Sequence, residues 1–145
     1  MSATLDANLL LYASDESSPF HTRAIGFLNE LASGPELVYV FWPTVMAYLR
    51  VATHPAVFAT PLSSAAALTN VDNLLRLPHV QTVGEQERFW EAFGEVASEA
   101  APTGNLVPDA HLVALMRENG VRTIWTNDRD YRRFDGIRVR DPFRS

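Results

Sequence analysis

Three aspartates stand where oxygen chemistry could gather. Asp6 follows the β-forming run Ala3–Leu5, and Asp128 ends Trp125-Thr126-Asn127-Asp128, just after a second such run. Asp109 comes one residue after Pro108, in the opening turn of an apolar helix that precedes that second run. In open parallel sheets, ligands bind outside the carboxyl ends of the strands, where strand order reverses. If the strands before Asp6 and Asp128 are neighbours, all three carboxylates reach that edge. Close carboxylates repel and raise one another's pKa unless a cation neutralises them. An all-oxygen set suits Mg²⁺ or Mn²⁺ much better than zinc. Taken singly, Asp6 also serves as a helix cap, Asp109 as a partner of its helix dipole and Asp128 as the head of a turn. Their convergence is what gives the set chemical meaning.

The elements that must position them alternate along the chain. After Ala3–Leu5 comes a helix over Ala7–Ala13. A second helix spans His21–Ser33, with Ile25, Leu28 and Leu31 at helical spacing, and Gly34-Pro35 stops it. Leu37–Phe41 reads as a buried strand, and Pro43 suits the first turn of a helix that carries Val45, Leu49 and Ala52 and ends at His54-Pro55. Ser63–Leu77 places Leu68, Val71 and Leu75 on one helical face, and Val80–Thr82 follows as a strand. Thr82-Val83-Gly84-Glu85 has the form of a capping box, which predicts a helix over Glu85–Ala100. Pro108 opens a further helix that Gly120 stops; Arg122–Trp125 and Gly136–Arg140 are the last strands. This order predicts an α/β fold: a parallel central sheet of four to five strands, flanked by helices on both faces.

Composition narrows the chemistry. The 145 residues contain no cysteine and no lysine, so all twelve basic side chains are arginine. That removes disulfides, thiol nucleophiles, Cys-ligated metals, the P-loop and Lys Schiff bases. It also argues against phosphatases of similar fold class, which use a Lys at the phosphoryl site. The length and the lack of linkers, repeats or low-complexity tracts predict one domain over residues 1–145. No basic leader or long apolar run is present, so a cytoplasmic protein without a membrane partner is expected.

Several motifs carry a resemblance. Leu5-Asp6-Ala7-Asn8-Leu9-Leu10, Asn105-Leu106-Val107-Pro108-Asp109-Ala110 and Thr126-Asn127-Asp128-Arg129-Asp130-Tyr131 resemble, in order and spacing, the motifs of PIN domains, the nuclease domains of VapC toxins. Tyr131 stands where Phe is common. Arg50-Val51-Ala52-Thr53-His54-Pro55 is similar to the R-V-x-T-N-P of a subgroup abundant in mycobacteria and other actinobacteria. The resemblance implies a PIN-like fold and an endoribonuclease that uses Mg²⁺ (or Mn²⁺) at Asp6, Asp109 and Asp128 and leaves 3′-hydroxyl and 5′-phosphate ends. It further implies supporting roles for Asn8, Asn105, Thr126 and Asp130, a small VapB-like antitoxin partner, and a homodimer. One departure is plain: most PIN nucleases carry Glu three residues before the position of Arg50, and here that residue is Ala47. The alternative it motivates is a PIN-fold protein or RNA interaction module with weakened catalysis.

Charge placement bears on an RNA substrate. The formal net charge is −5, but residues 117–145 carry a local +3 and residues 1–116 a local −8. Arg129 and Arg132 follow Asp128 directly and could rim the site as phosphate ligands, or form a solvated turn. Glu87, Glu91, Glu95 and Glu99 recur every four residues, which predicts a like-charged helix face that is either solvated or met by a basic partner. Trp90 and Phe93 are expected as core anchors. The four histidines have no metal-ligand spacing, and His111 is expected to point away from Asp109.

Overall fold

The computed structural model describes residues 1–144. Its strands, β1 (Ser2–Leu5), β2 (Leu37–Phe41), β3 (Val80–Val83), β4 (Thr123–Trp125) and β5 (Arg138–Arg140), form one sheet in the order β3-β2-β1-β4-β5. Every neighbouring pair is parallel. The chain walks outward from β1 to β3, then returns across the sheet to β4. The reversal falls between β1 and β4, so the neighbouring strands are those that precede Asp6 and Asp128.

Six helices make the crossovers: α1 (Ala7–Ser14), α2 (His21–Ser33), α3 (Trp42–Ala52), α4 (Ser64–Leu75), α5 (Phe89–Ala100) and α6 (Leu106–Glu118). They divide between the two faces because side chains alternate along each strand. Val38 and Val40 join the cluster around Leu5, Leu9 and Tyr48, under α1 to α4. Phe41 joins Val96, Val113, Leu115, Met116 and Ile124, under α5 and α6. In the first cluster the Tyr48 hydroxyl is 2.7 Å from Ser14 Oγ and accepts from Asn70 Nδ2 at 3.0 Å, tying α1, α3 and α4 together. Among the described residues, no buried side-chain nitrogen or oxygen lacks a hydrogen-bond partner.

Some expectations need correction. The capping box does not form: Thr82 lies within β3, and α5 starts at Phe89 rather than Glu85. The backbone N–H groups of Gln86 and Arg88 donate instead to Glu118 Oε1 and Oε2, both at 3.0 Å, which caps α5 from α6 and holds residues 86–88 as a loop. Glu87 therefore precedes the helix, and the like-charged stack is shorter than expected. Arg88 and Arg117 offset it through ion pairs with Glu91 and Glu99. Helix α6 begins two residues before Pro108, at Leu106. Helix α2 buries Ala24, Phe27 and Leu31 and exposes Ile25; α4 buries Ala67 and Val71 and exposes Leu68. Trp90 is no core anchor. It is 77% exposed, opposite the buried Ala92–Val96 face, and lies flat on Phe93 with ring centroids 5.7 Å apart.

Candidate active site

Asp6 is positioned by the end of β1. Its backbone N–H donates to Trp125 O at 3.0 Å, extending the β1–β4 register of Leu5 opposite Trp125 by one step. The extended backbone at Asp6 lets its side chain cap α1, where Oδ1 accepts from the Asn8 N–H at 3.3 Å. Its other oxygen, Oδ2, accepts from Thr126 Oγ1 at 2.8 Å. Thr126 is fully buried, and its hydroxyl also accepts from the Asp128 N–H at 2.9 Å. One hydroxyl thus ties Asp6 to the turn that carries Asp128.

That turn is a short 3-10 helix over Arg129–Arg133, capped by Asp128, whose Oδ1 accepts from the Asp130 N–H at 2.9 Å. The tight winding brings Asp130 round to the same side. One carboxylate oxygen each from Asp109, Asp128 and Asp130 lies within 4.8 Å of the others. Asp109 reaches the group from the first turn of α6. The acidic triple within ligand distance thus has Asp130 beside Asp109 and Asp128 in the place expected for Asp6; Asp6 is buried on Thr126 and acts on Asp109 through its charge.

The electrostatics follow from burial and crowding. Desolvation pushes the Asp6 carboxyl above the usual carboxylate range, and Asp128 adds repulsion; the Thr126 hydroxyl and the Asn8 N–H oppose the rise. Asp109 is pushed up to about 6, first by desolvation and then by Asp128, Asp6 and Asp130. The Tyr131 hydroxyl faces the Asp109 carboxylate and opposes that rise. Burial and the surrounding carboxylates hold the Tyr131 phenol firmly protonated. The ring is buried against Phe134 while the hydroxyl faces the acidic group, a role that Phe could not fill.

Nothing basic answers these charges from within. Among the described residues, the ion pairs are Arg88–Glu91, His111–Glu85, Arg117–Glu99 and Arg144–Asp141, and none includes Asp6, Asp109, Asp128 or Asp130. Carboxylates crowded at a sheet edge, hydrogen-bonded into place yet unpaired, form a donor set that fits a hard divalent cation.

The other expected residues separate. Thr126 holds the site together, whereas Asn8 takes part through its backbone N–H. Asn105 is exposed and makes no side-chain capping bond. Arg129 and Arg132 are exposed and, with Thr126, Asp128 and Arg144, line a small cleft beside the acidic group. His111 pairs with Glu85 at 2.6 Å, outside the site. Ala47 lies half-buried on α3. The Tyr131 hydroxyl was missed in the sequence; its signal was a polar side chain at a position where Phe is common.

The sequence pattern of the PIN domain matches residues 3–137. The chain belongs to the PIN-domain family. Within it the chain is similar to the VapC members: it is 49% identical over 143 residues, 99% of each chain, to Ribonuclease VapC48 of Mycobacterium tuberculosis. It is 34% identical over 138 residues, 95% of each chain, to Ribonuclease VapC37 of the same organism. The crystal structure of VapBC2 from Rickettsia felis, bound to a DNA fragment from their promoter, matches it with a TM-score of 0.70. That match covers 97% of this chain and 98% of the other at 14% identity, which shows the shared fold.

Proposed function

We propose that this chain is the toxin of a toxin–antitoxin pair, a Mg²⁺- or Mn²⁺-dependent endoribonuclease. Residues 1–145 would work in the cytoplasm as one nuclease domain, held in check by a small VapB-like antitoxin and assembled as a homodimer. The ribonuclease names of its relatives support the activity. The observation that carries the site assignment is the unpaired carboxylate group at the β1–β4 reversal.

Asp6, Asp109 and Asp128 would hold the ion, with Asp130 supplementing them. When bound, a divalent ion supplies charge stabilisation at the phosphoryl oxygens and an acidified water. The chain's own residues orient and exclude. Thr126 fixes Asp6 and the Asp128 backbone relative to each other, and the Tyr131 hydroxyl favours the ionised form of Asp109. Arg129 and Arg132, exposed and always charged, offer planar guanidinium groups to RNA phosphates beside the acidic group.

The test is cleavage of single-stranded and structured RNA by the purified chain with Mg²⁺ or Mn²⁺, with chelator and Asp6→Asn controls. Asn still caps α1, so the variant is expected to fold and lose all cleavage. Metal-dependent cleavage retained by clean Asp6→Asn protein would overturn the site assignment. RNA bound but never cut by the wild-type chain would assign it instead as the weakened interaction module that Ala47 suggests.

A further inference from the structure

Helix α3 leaves the same sheet edge as α1, and its outer face carries side chains that nucleases with acidic sites do not need for chemistry. Trp42, Met46 and Arg50 recur at i, i+4 and i+8 and therefore share one stripe. The opposite side of α3 is buried through Thr44, Val45, Tyr48 and Ala52. Trp42 is 41% exposed, Met46 is 57% exposed, and Arg50 is exposed.

The stripe starts beside the carboxylates. Continuing the β1–β2 register, in which Thr4 stands opposite Tyr39, places Asp6 opposite Phe41. Trp42 is the next residue. On its other side, the pairing of Phe41 with Val83 brings Gly84 beside Trp42. A Cβ on Gly84 would lie 3.1 Å from Trp42 Cδ1 and 3.9 Å from Nε1. The glycines of this chain with positive φ are Gly104, Gly120 and Gly136, so Gly84 is not demanded by a left-handed backbone. The close approach of the indole accounts for glycine there. The pyrrole edge of the indole lies against Gly84, and the residue as a whole is 41% exposed.

We propose that Trp42 is a base-stacking platform for single-stranded RNA at the site, with Met46 and Arg50 continuing the track along α3. The proposal rests on the nuclease reading and extends it to how the substrate is held. Every base has a π-face, so an exposed indole packed at its edge against the chain holds a strand without reading its sequence. Arg50 adds a cation where the strand leaves, which suits a phosphate backbone better than an apolar protein partner. The sheet order also sets a path. Trp42 lies on the β2 side of Asp6 and Arg129 and Arg132 lie on the β4 side, so a strand joining them crosses the carboxylates.

Binding is measured without turnover, in Asp6→Asn protein, by the fluorescence anisotropy of a labelled single-stranded RNA. Adding Trp42→Ala is expected to weaken binding roughly tenfold, and Trp42→Phe by threefold or less, as stacking strengths imply. Trp90→Ala, which removes the more exposed indole on α5, is expected to leave affinity unchanged. With Asp6 restored, Trp42→Ala raises KM with little change in kcat. Cleavage by the wild type with unchanged affinity in the Trp42→Ala variant overturns the stacking proposal alone. A change in molecular mass on sizing with light scattering, without loss of RNA affinity, overturns it too and gives the stripe to a protein interface. RNA binding that depends on Trp42 in a chain that never cuts RNA keeps the platform and overturns the nuclease reading. A wild-type chain that neither binds nor cuts RNA overturns both.

Discussion

Thr126→Val is the sharpest probe of how the site is built. Valine has nearly the same volume, so the fully buried position keeps its packing and loses only the hydroxyl. Two hydrogen bonds go with it: the 2.8 Å bond to Asp6 Oδ2 and the 2.9 Å bond from the Asp128 N–H. A bond to a charged group contributes about 1.5–3 kcal/mol and an N–H left unpaired costs about 1–3 kcal/mol, less here because water reaches a half-buried turn. The expected loss is about 3 kcal/mol at neutral pH, roughly 6–12 °C in Tm for a chain of this size. The loss also has a pH signature. The Thr126 bond holds the Asp6 pKa below where burial alone would put it, so its removal raises that pKa further. A carboxyl whose folded pKa lies above its unfolded value withdraws stability as pH rises. The deficit of the Val variant therefore grows between acid and neutral pH, while Thr126→Ser, which keeps the hydroxyl, recovers most of it. Thermal and urea unfolding in chelator at both ends of that range measures this directly. Wild-type and Val curves that coincide, or a deficit that ignores pH, would refute the idea that one hydroxyl ties the Asp6 carboxylate to the Asp128 backbone.

Two further predictions concern Asp109. Its carboxyl, pushed up to about 6 by burial and by its acidic neighbours, binds its proton more tightly folded than unfolded. Metal-free stability should therefore fall as pH rises from about 4 to about 6 and level off above, as proton linkage requires. Melts in chelator should show that fall, while added Mn²⁺ should oppose it and the Asp109→Asn substitution should reduce it to the share that Asp6 contributes. Tyr131→Phe deletes the hydroxyl that lowers the Asp109 pKa but leaves the buried ring in place. Calorimetry should then find Mn²⁺ affinity several-fold weaker near pH 6 and close to wild type near pH 8; equal weakening at both would assign Tyr131 a purely steric role.

The parts of the fold legible in the sequence are those with local causes. The strands are apolar runs bounded by breakers, and the parallel order follows from their alternation with helices. Asp6, Asp109 and Asp128 could be placed at one edge because each sits at an element boundary whose direction is known. What was not legible depends on distant partners. Thr82-x-x-Glu85 satisfies a local helix-start pattern, yet pairing of β3 through Val83 and the reach of Glu118 decide the outcome. Trp90 is as apolar as a core anchor, but its phase on α5 turns it to solvent. Asp130 resembled a turn residue because a five-residue 3-10 helix has no periodic signature, and only its winding brings the carboxylate to Asp109.

The charge distribution keeps arginine away from the acidic group, as the proposed cation site requires. The chain carries a formal −5, and eight of its arginines fall within the last 29 residues. None neutralises the acidic group: Arg144 turns to Asp141, Arg117 to Glu99, and Arg129 and Arg132 stand in solvent. An arginine folded onto Asp109 and Asp128 would relieve their repulsion and hold the edge shut, because a bidentate guanidinium occupies the oxygens that a cation needs. The chain instead meets its carboxylates with neutral donors, Thr126 and the Asn8 N–H at Asp6 and the Asp130 N–H at Asp128, which orient the oxygens without cancelling their charge. Their repulsion remains as a standing destabilisation, of the kind that functional sites carry against the stability of the whole. Ala47 fits the same logic. Position 47 contributes no carboxylate from α3, so the acidic neighbours are Asp6, Asp109, Asp128 and Asp130.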